Sequence, residues 1–154
     1  MRLRINGEVQ QPVNWSQADL AAIHGTYQIA DVTKYDPKRP GHAVRLAGIL
    51  AVVGTKPAAK WLTLHSSRAN FHASIPLDAV RDRALIVYEL DGQPLPVSAG
   101  GPFRFLIPDF AACHTAEVDE CANVKFVDRI ELTAERGFDN RPQDDAEHAK
   151  LHEH

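Results

Sequence analysis

The residues best suited to holding a small anion lie in Gly100-Gly101-Pro102-Phe103-Arg104, inside the stretch DGQPLPVSAGGPFRFLIPD. A guanidinium presents planar N–H donors that match a phosphate or carboxylate two at a time. A glycine lets the backbone approach a flat ligand because it has no Cβ. A simpler reading stands beside this one. On a strand, Phe103 and Phe105 point one way and Arg104 the other, so alternation alone makes Arg104 a solvent-facing side chain on a half-buried strand.

A second grouping is LHSSRANFH, where His65 and His72 flank the turn Arg68-Ala69-Asn70. Both imidazoles then stand on neighbouring strands near Arg68, as an anion or metal site requires. Two histidines without a close carboxylate are a weak metal signature, and surface or strand histidines are the ordinary outcome. Cys113, His114 and Cys121 form a Cys-His-x6-Cys pattern. Zinc sites show tighter cysteine pairs, so a local disulfide or two free thiols fits better, with a redox-sensitive loop as a lesser option. His148 and His152 would share one face of a helix, but with His154 they fall in a polar tail. Ser66, Ser67 and Ser74 lack the Gly-x-Ser-x-Gly elbow of a hydrolase nucleophile.

Stepping outward, RLRINGEVQQPVNW alternates apolar and polar residues around an Asn6-Gly7 turn signal. Ser16 followed by Asp19 predicts a capped short helix ending near His24-Gly25. TYQIADVTKY reads as a strand and DPKRPGH as a loop. AVRLAGILAVVG reads as a buried helix stopping at Gly54. AKWLTLHSS and FHASIPL are strand-like, and DAVRDRA is a short helix with Asp78 as its cap. LIVYELDGQPLP is a strand entering an Asp91-Gly92 turn; FRFLIPD and VKFVDRIELTAE are two more strands. The chain becomes polar after Gly137. The expected division is one domain over 1–137 and a loose polar tail over 138–154. Short strands with a few short helices make the class α+β, with mixed or antiparallel sheets.

The chain has 154 residues, a length suited to one domain, and a net charge of −3. That charge argues against general nucleic-acid binding, which needs a basic face. No apolar run reaches the ~18–20 residues of a membrane span. MRLRINGEVQ has no apolar signal core, so the expected location is the cytoplasm, or the periplasm if Met1 follows a removed signal. The two cysteines do not make a disulfide scaffold.

The serial order of these motifs resembles the molybdopterin-binding domain of the sulfite oxidase family of oxidoreductases. The segments carrying the resemblance are LRINGEVQQPVNWSQADLAAI, GHAVRLAGILAVVG, WLTLHSSRANFHASIPLDAV, LIVYELDGQPLPVSAGGPFRFLIPD and VKFVDRIEL, from about Arg2 to Glu135. The resemblance implies a sulfite-oxidase-type molybdopterin-binding fold. It places Gly100, Gly101 and Arg104 beside the pterin, since the family carries a Gly-x-Pro-x-Arg turn there. It puts the family's cofactor-contacting lysine on Lys125, with the following Trp replaced by Phe126. His65 and Arg68 join these as candidate cofactor contacts.

Two departures limit what the resemblance implies. The family holds molybdenum through a cysteine thiolate, a soft ligand suited to that metal. The matching segment, Tyr27 to Val44, has no cysteine, and none of Val32 to Tyr35 is a substitute. The family's histidine before the glycine turn is also gone, with Ser98 and Ala99 in its place. The expected cofactor is therefore molybdopterin without molybdenum, and whether the chain is an enzyme is left open. The expected function lacks molybdenum catalysis: the chain binds a pterin-like or small anionic ligand or acts as a non-catalytic module with a partner surface, without nucleic acid or membrane as partner. The alternatives are a molybdopterin-dependent oxidoreductase whose metal site another residue or a partner chain completes, or a protein-interaction module with an empty pocket.

Overall fold

A computed structural model describes residues 1–113 and 115–142. The chain opens with β1 (Leu3–Gly7), β2 (Val13–Trp15) and the short helix α1 (Gln17–Ala21). It continues through β3 (Gln28–Ile29) and β4 (His42–Arg45) into α2 (Leu46–Val53). Next come the hairpin strands β5 (Trp61–Ser66) and β6 (Phe71–Pro76), then α3 (Leu77–Val80). The last strands are β7 (Leu85–Leu90), β8 (Gln93–Pro94), β9 (Arg104–Leu106) and β10 (Arg129–Thr133).

These strands form two sheets. The first has the order β2-β1-β10-β5-β6, with β1 and β10 parallel and the other pairs antiparallel. The second has the order β3-β4-β7-β8, and β9 also pairs with β7. The mixed and antiparallel sheets with three short helices are the α+β architecture expected from the motif order.

The sheets bury themselves differently, and composition explains why. Along β10, and from Leu3 to Ile5 of β1, every second residue is buried, so this sheet has one core face and one outer face. In the second sheet the first four residues of β7 and all of β9 are buried. Ile86, Tyr88, Phe103 and Phe105 enter the main core with Leu3, Ile49, Leu64 and Ile130. Leu85, Val87 and Leu106 enter a second core with Ile29, Val32 and Leu95. Each fully buried side chain of this size stabilises the fold by roughly 1.5–3 kcal/mol. α2 packs Leu46, Ile49, Leu50 and Val53 into the main core.

Local signals account for several elements. Ser16 and Asp19 form a reciprocal capping box at the start of α1. Asp91 and Gly92 have φ of +53° and +79° and close the β7–β8 hairpin, as a two-residue primed turn requires.

Other elements differ from the sequence reading. TYQIADVTKY is mostly two 3₁₀ turns around the two residues of β3; the Asp31 carboxylate accepts from the Thr33 N–H and caps the second turn. Pro76, not Asp78, is the N-cap of α3, and Asp78 sits in its first turn. Asp139 and Arg141 pack onto β6, although composition placed them in the loose tail. The Ser74 N–H donates to Asp139 at 2.9 Å and the Asn140 N–H to the His72 carbonyl at 3.0 Å. His114, His148, His152 and His154 lie outside the described residues.

Candidate functional site

The double glycine is dictated by two different contacts. Gly100 has φ of +94°, and a Cβ there would stand 3.1 Å from Arg104 Cδ and 3.1 Å from Lys125 Cγ. A Cβ on Gly101 would fall 1.7 Å from the Leu95 carbonyl oxygen, so backbone packing admits no side chain there. The turn is zipped to the segment before β10. The Phe126 N–H donates to the Gly100 carbonyl at 2.8 Å, the Val127 N–H to Phe103 at 2.9 Å and the Phe105 N–H to Val124 at 2.9 Å. These bonds set Lys125 against Gly100. Phe126 has φ of +56°, so the strand expected across VKFVDRIELTAE is interrupted and begins only at Arg129. Lys125 is exposed.

Arg104 is only 6% exposed. Its Nη1 donates to the Ala99 carbonyl at 3.3 Å, at the position where the family resemblance led us to expect a histidine. Its Nε is buried and has no hydrogen-bond partner. Among the described residues no carboxylate lies within ion-pair distance. Burial, then repulsion from Arg39, bring its pKa down to about 10, against a smaller opposing pull from Asp36. A protonated guanidinium is thus held in a dry position with little compensation, a state that normally costs free energy.

Arg39 and Asp36 belong to the loop between β3 and β4, the segment that the resemblance assigned to the missing metal ligand. Arg39 Nε is also buried without a partner. Nothing in the sequence singled out Arg39 except its place in that charged loop between two prolines. The loop is shaped by Asp31, which caps the turn Val32–Lys34, and by the Val32 N–H donating to the Gly41 carbonyl at 2.9 Å.

Of the two remaining candidates, Arg68 adjoins this site and His65 does not. The Arg68 guanidinium carbon lies 5.1 Å from the centroid of the Phe126 ring, one residue after Lys125. That stacking ties the β5–β6 turn to the segment holding the glycine turn. His65 faces another cleft. Its Nδ1 is 2.7 Å from His72 Nδ1, and its Nε2 donates to Glu131 Oε1 at 3.0 Å. Burial, then the neighbouring His65, push the His72 pKa below the ordinary histidine value.

A phosphate-bearing group fits the residues around Gly100. The buried Nε atoms of Arg104 and Arg39 lack acceptors, and the exposed Lys125 lies against Gly100. The chain's thiols belong elsewhere. Cys113 and Cys121 are unbridged, and burial raises both pKa values. Their charged neighbours are Arg83 and Asp109 for the first, and Asp119, Arg141, Glu120 and Asp139 for the second. Among the described residues no three His, Cys, Asp or Glu side chains gather as a metal-binding group. No described helix is long and apolar enough to cross a membrane.

Residues 42–140 match the family described as the oxidoreductase molybdopterin binding domain. Among solved structures the chain is similar to the sulfane dehydrogenase SoxCD from Paracoccus pantotrophus, with a TM-score of 0.64 and 22% identity. The similarity covers 88% of this chain and 38% of that one, and it is a likeness of fold. No curated protein matches.

Proposed function

We propose, for a chain that belongs to the oxidoreductase molybdopterin binding domain family, that it binds the phosphate of a pterin-like ligand at Arg104 without molybdenum catalysis. The observation that carries this reading is the buried Arg104 guanidinium, whose Nε has no acceptor. Arg104 and Arg39 supply the phosphate donors, Gly100 the close approach, and Lys125 a charge at the mouth. Arg68 holds that mouth in place by stacking on Phe126. A buried cation that already lies in place strengthens an anion contact, because the dry surroundings weaken screening. The protein's share in this reading is to bind and orient the ligand; redox chemistry would come from a molybdenum-loaded cofactor, which belongs to the second reading below.

The test is calorimetric titration with 6-hydroxymethylpterin phosphate, with the unphosphorylated pterin as control. The phosphorylated compound is expected to bind, and Arg104→Met and Lys125→Ala to weaken it by roughly tenfold or more, the worth of a charge-assisted bond. Unchanged binding in both variants would remove the pocket from consideration.

Family membership favours a second reading, a molybdopterin-dependent oxidoreductase whose metal site is completed by another residue or a partner chain. Metal analysis of protein produced in molybdate-supplied cells decides between the two. Molybdenum retained in stoichiometric amount selects the oxidoreductase.

A further inference from the structure

The outer face of the first sheet carries a row of residues that neither the fold nor the proposed role of Arg104 explains. One register line runs across all five strands: Asn14 on β2, Arg4 on β1, Arg129 on β10, His65 on β5 and His72 on β6. The next line inward along the same strands is Val13, Ile5, Ile130, Leu64 and Ala73, in or against the main core. The polar line therefore faces out. With strands about 4.8 Å apart it extends for roughly 19 Å.

Two arginines stand directly opposite each other in this line, Arg4 against Arg129. Like charges so placed destabilise a sheet. Glu131 offsets part of this by accepting from Arg129 Nη2 at 2.9 Å and from His65. Arg129 Nε remains buried without a partner, and the Arg4 guanidinium has no protein partner among the described residues. Arg2 adds a third cation and is anchored by donating to the Asn14 carbonyl at 2.9 Å. Ser67 and Asp128 form the far wall, where the Ser67 N–H donates to the Asp128 carboxylate at 3.4 Å. These side chains enclose a cleft of about 450 Å³. Three arginines against the two carboxylates of Asp128 and Glu131 leave it with an excess of positive charge on a chain whose net charge is −3.

We propose that this cleft is a second anion site, independent of the Arg104 pocket, which takes a small tetrahedral oxyanion of the phosphate or sulfate class between Arg4 and Arg129. The anion relieves the repulsion across β1 and β10 and accepts from the free donors of both guanidinium groups. Asn14 and Ser67 supply neutral donors on either side.

Amide spectra of the ¹⁵N-labelled protein, titrated with sodium phosphate and with sodium sulfate at ionic strength held by sodium chloride, test this directly. Saturable shifts are expected at Arg4, Asn14, Ser67 and Arg129. Arg4→Gln and Arg129→Gln should each weaken binding about tenfold, the loss of one charge-assisted contact. Arg104→Met should leave these shifts in place. Arg4 is exposed and unpartnered, so its variant keeps the fold. The proposal fails if these amides do not saturate, if chloride alone produces the same shifts, or if both glutamine variants bind as the parent does. It also fails if phosphate moves only the amides around Gly100 and Lys125, a result that leaves the Arg104 reading standing. The converse pattern, cleft shifts with no response near Gly100, removes phosphate binding at Arg104 alone.

Discussion

Arg104 and Arg141 are both buried to 6% exposure, yet they live in opposite surroundings. Arg141 is enclosed by acceptors. Its Nε lies 3.1 and 3.0 Å from the two Asp139 oxygens and its Nη2 is 2.6 Å from Asp139 Oδ2. Its Nη1 donates to the Glu117 carbonyl at 2.5 Å and to Asp119 at 3.2 Å, and its Nη2 to the Ser74 carbonyl at 3.2 Å. Arg104 has one carbonyl at 3.3 Å and an Nε with nothing to bond. Burial opposes the charge in both. In Arg141 the Asp139 carboxylate reverses that effect and the pKa rises; in Arg104 the neighbouring Arg39 reinforces it. The contrast teaches that burial alone does not make an arginine structural. What it is given to bond with sets the two apart, and Arg104 keeps an Nε without an acceptor.

Substitutions should separate the two most sharply. Arg141→Met is expected to destabilise the fold by about 3 kcal/mol, because it leaves the buried Asp139 carboxylate with only the half-exposed Arg136, at 3.3 Å, as its cation. Urea denaturation measures this. Arg104→Met should do the reverse, leaving stability unchanged or raising it by roughly 1 kcal/mol or more, since it removes a buried charge that nothing compensates. A large loss of stability in Arg104→Met would make the two arginines alike and erase the contrast.

Acid titration sharpens the same comparison. Burial works to raise the Asp139 pKa, but hydrogen bonds from the Arg141 side chain, Ser74 and the Arg141 backbone outweigh it and bring it to about 2. A carboxyl held below its unfolded value contributes stability that is present above pH ~4 and is lost as pH falls towards 2. The contribution is on the order of 2 kcal/mol. Denaturation midpoints should fall over that window, and Asp139→Asn should abolish this part of the decline. Among the described residues Arg104 has no carboxylate partner, so it adds nothing to this decline.

Smaller effects bear on the turn itself. Gly100→Ala must hold a left-handed φ and press on both Arg104 and Lys125. It should cost about 1 kcal/mol and weaken the pterin phosphate as well. Arg68→Ala removes only a stacking contact on Phe126 and should cost about 0.5–1 kcal/mol, read from the melting temperature.

The architecture was legible because its signals are local and serial. The Ser16–Asp19 capping box, the Asp91-Gly92 turn and the apolar run of β7 each act within a few residues. Arg104 was harder to read for a physical reason. Alternation separates the two sides of a strand, but it cannot tell whether the second side meets water or a second core. β9 lies in a sheet covered on both faces, so the position opposite Phe103 and Phe105 is buried too. The apolar pattern places Lys125 on a strand because a left-handed Phe126 leaves no mark in it. Asp139 and Arg141 look like a solvated tail by composition, whereas their pairing with each other and with Ser74 draws them inside. The cross-strand row of Arg4, Arg129 and His65 depends on register among strands far apart in the chain, which no local pattern contains.

The most direct measurement is paired calorimetry and denaturation of the parent protein and Arg104→Met with 6-hydroxymethylpterin phosphate. An arginine kept for an external acceptor gives binding in the parent, binding roughly tenfold or more weaker in the variant, and a variant fold at least as stable as the parent. Equal binding in both proteins, or a variant as destabilised as Arg141→Met, would contradict it.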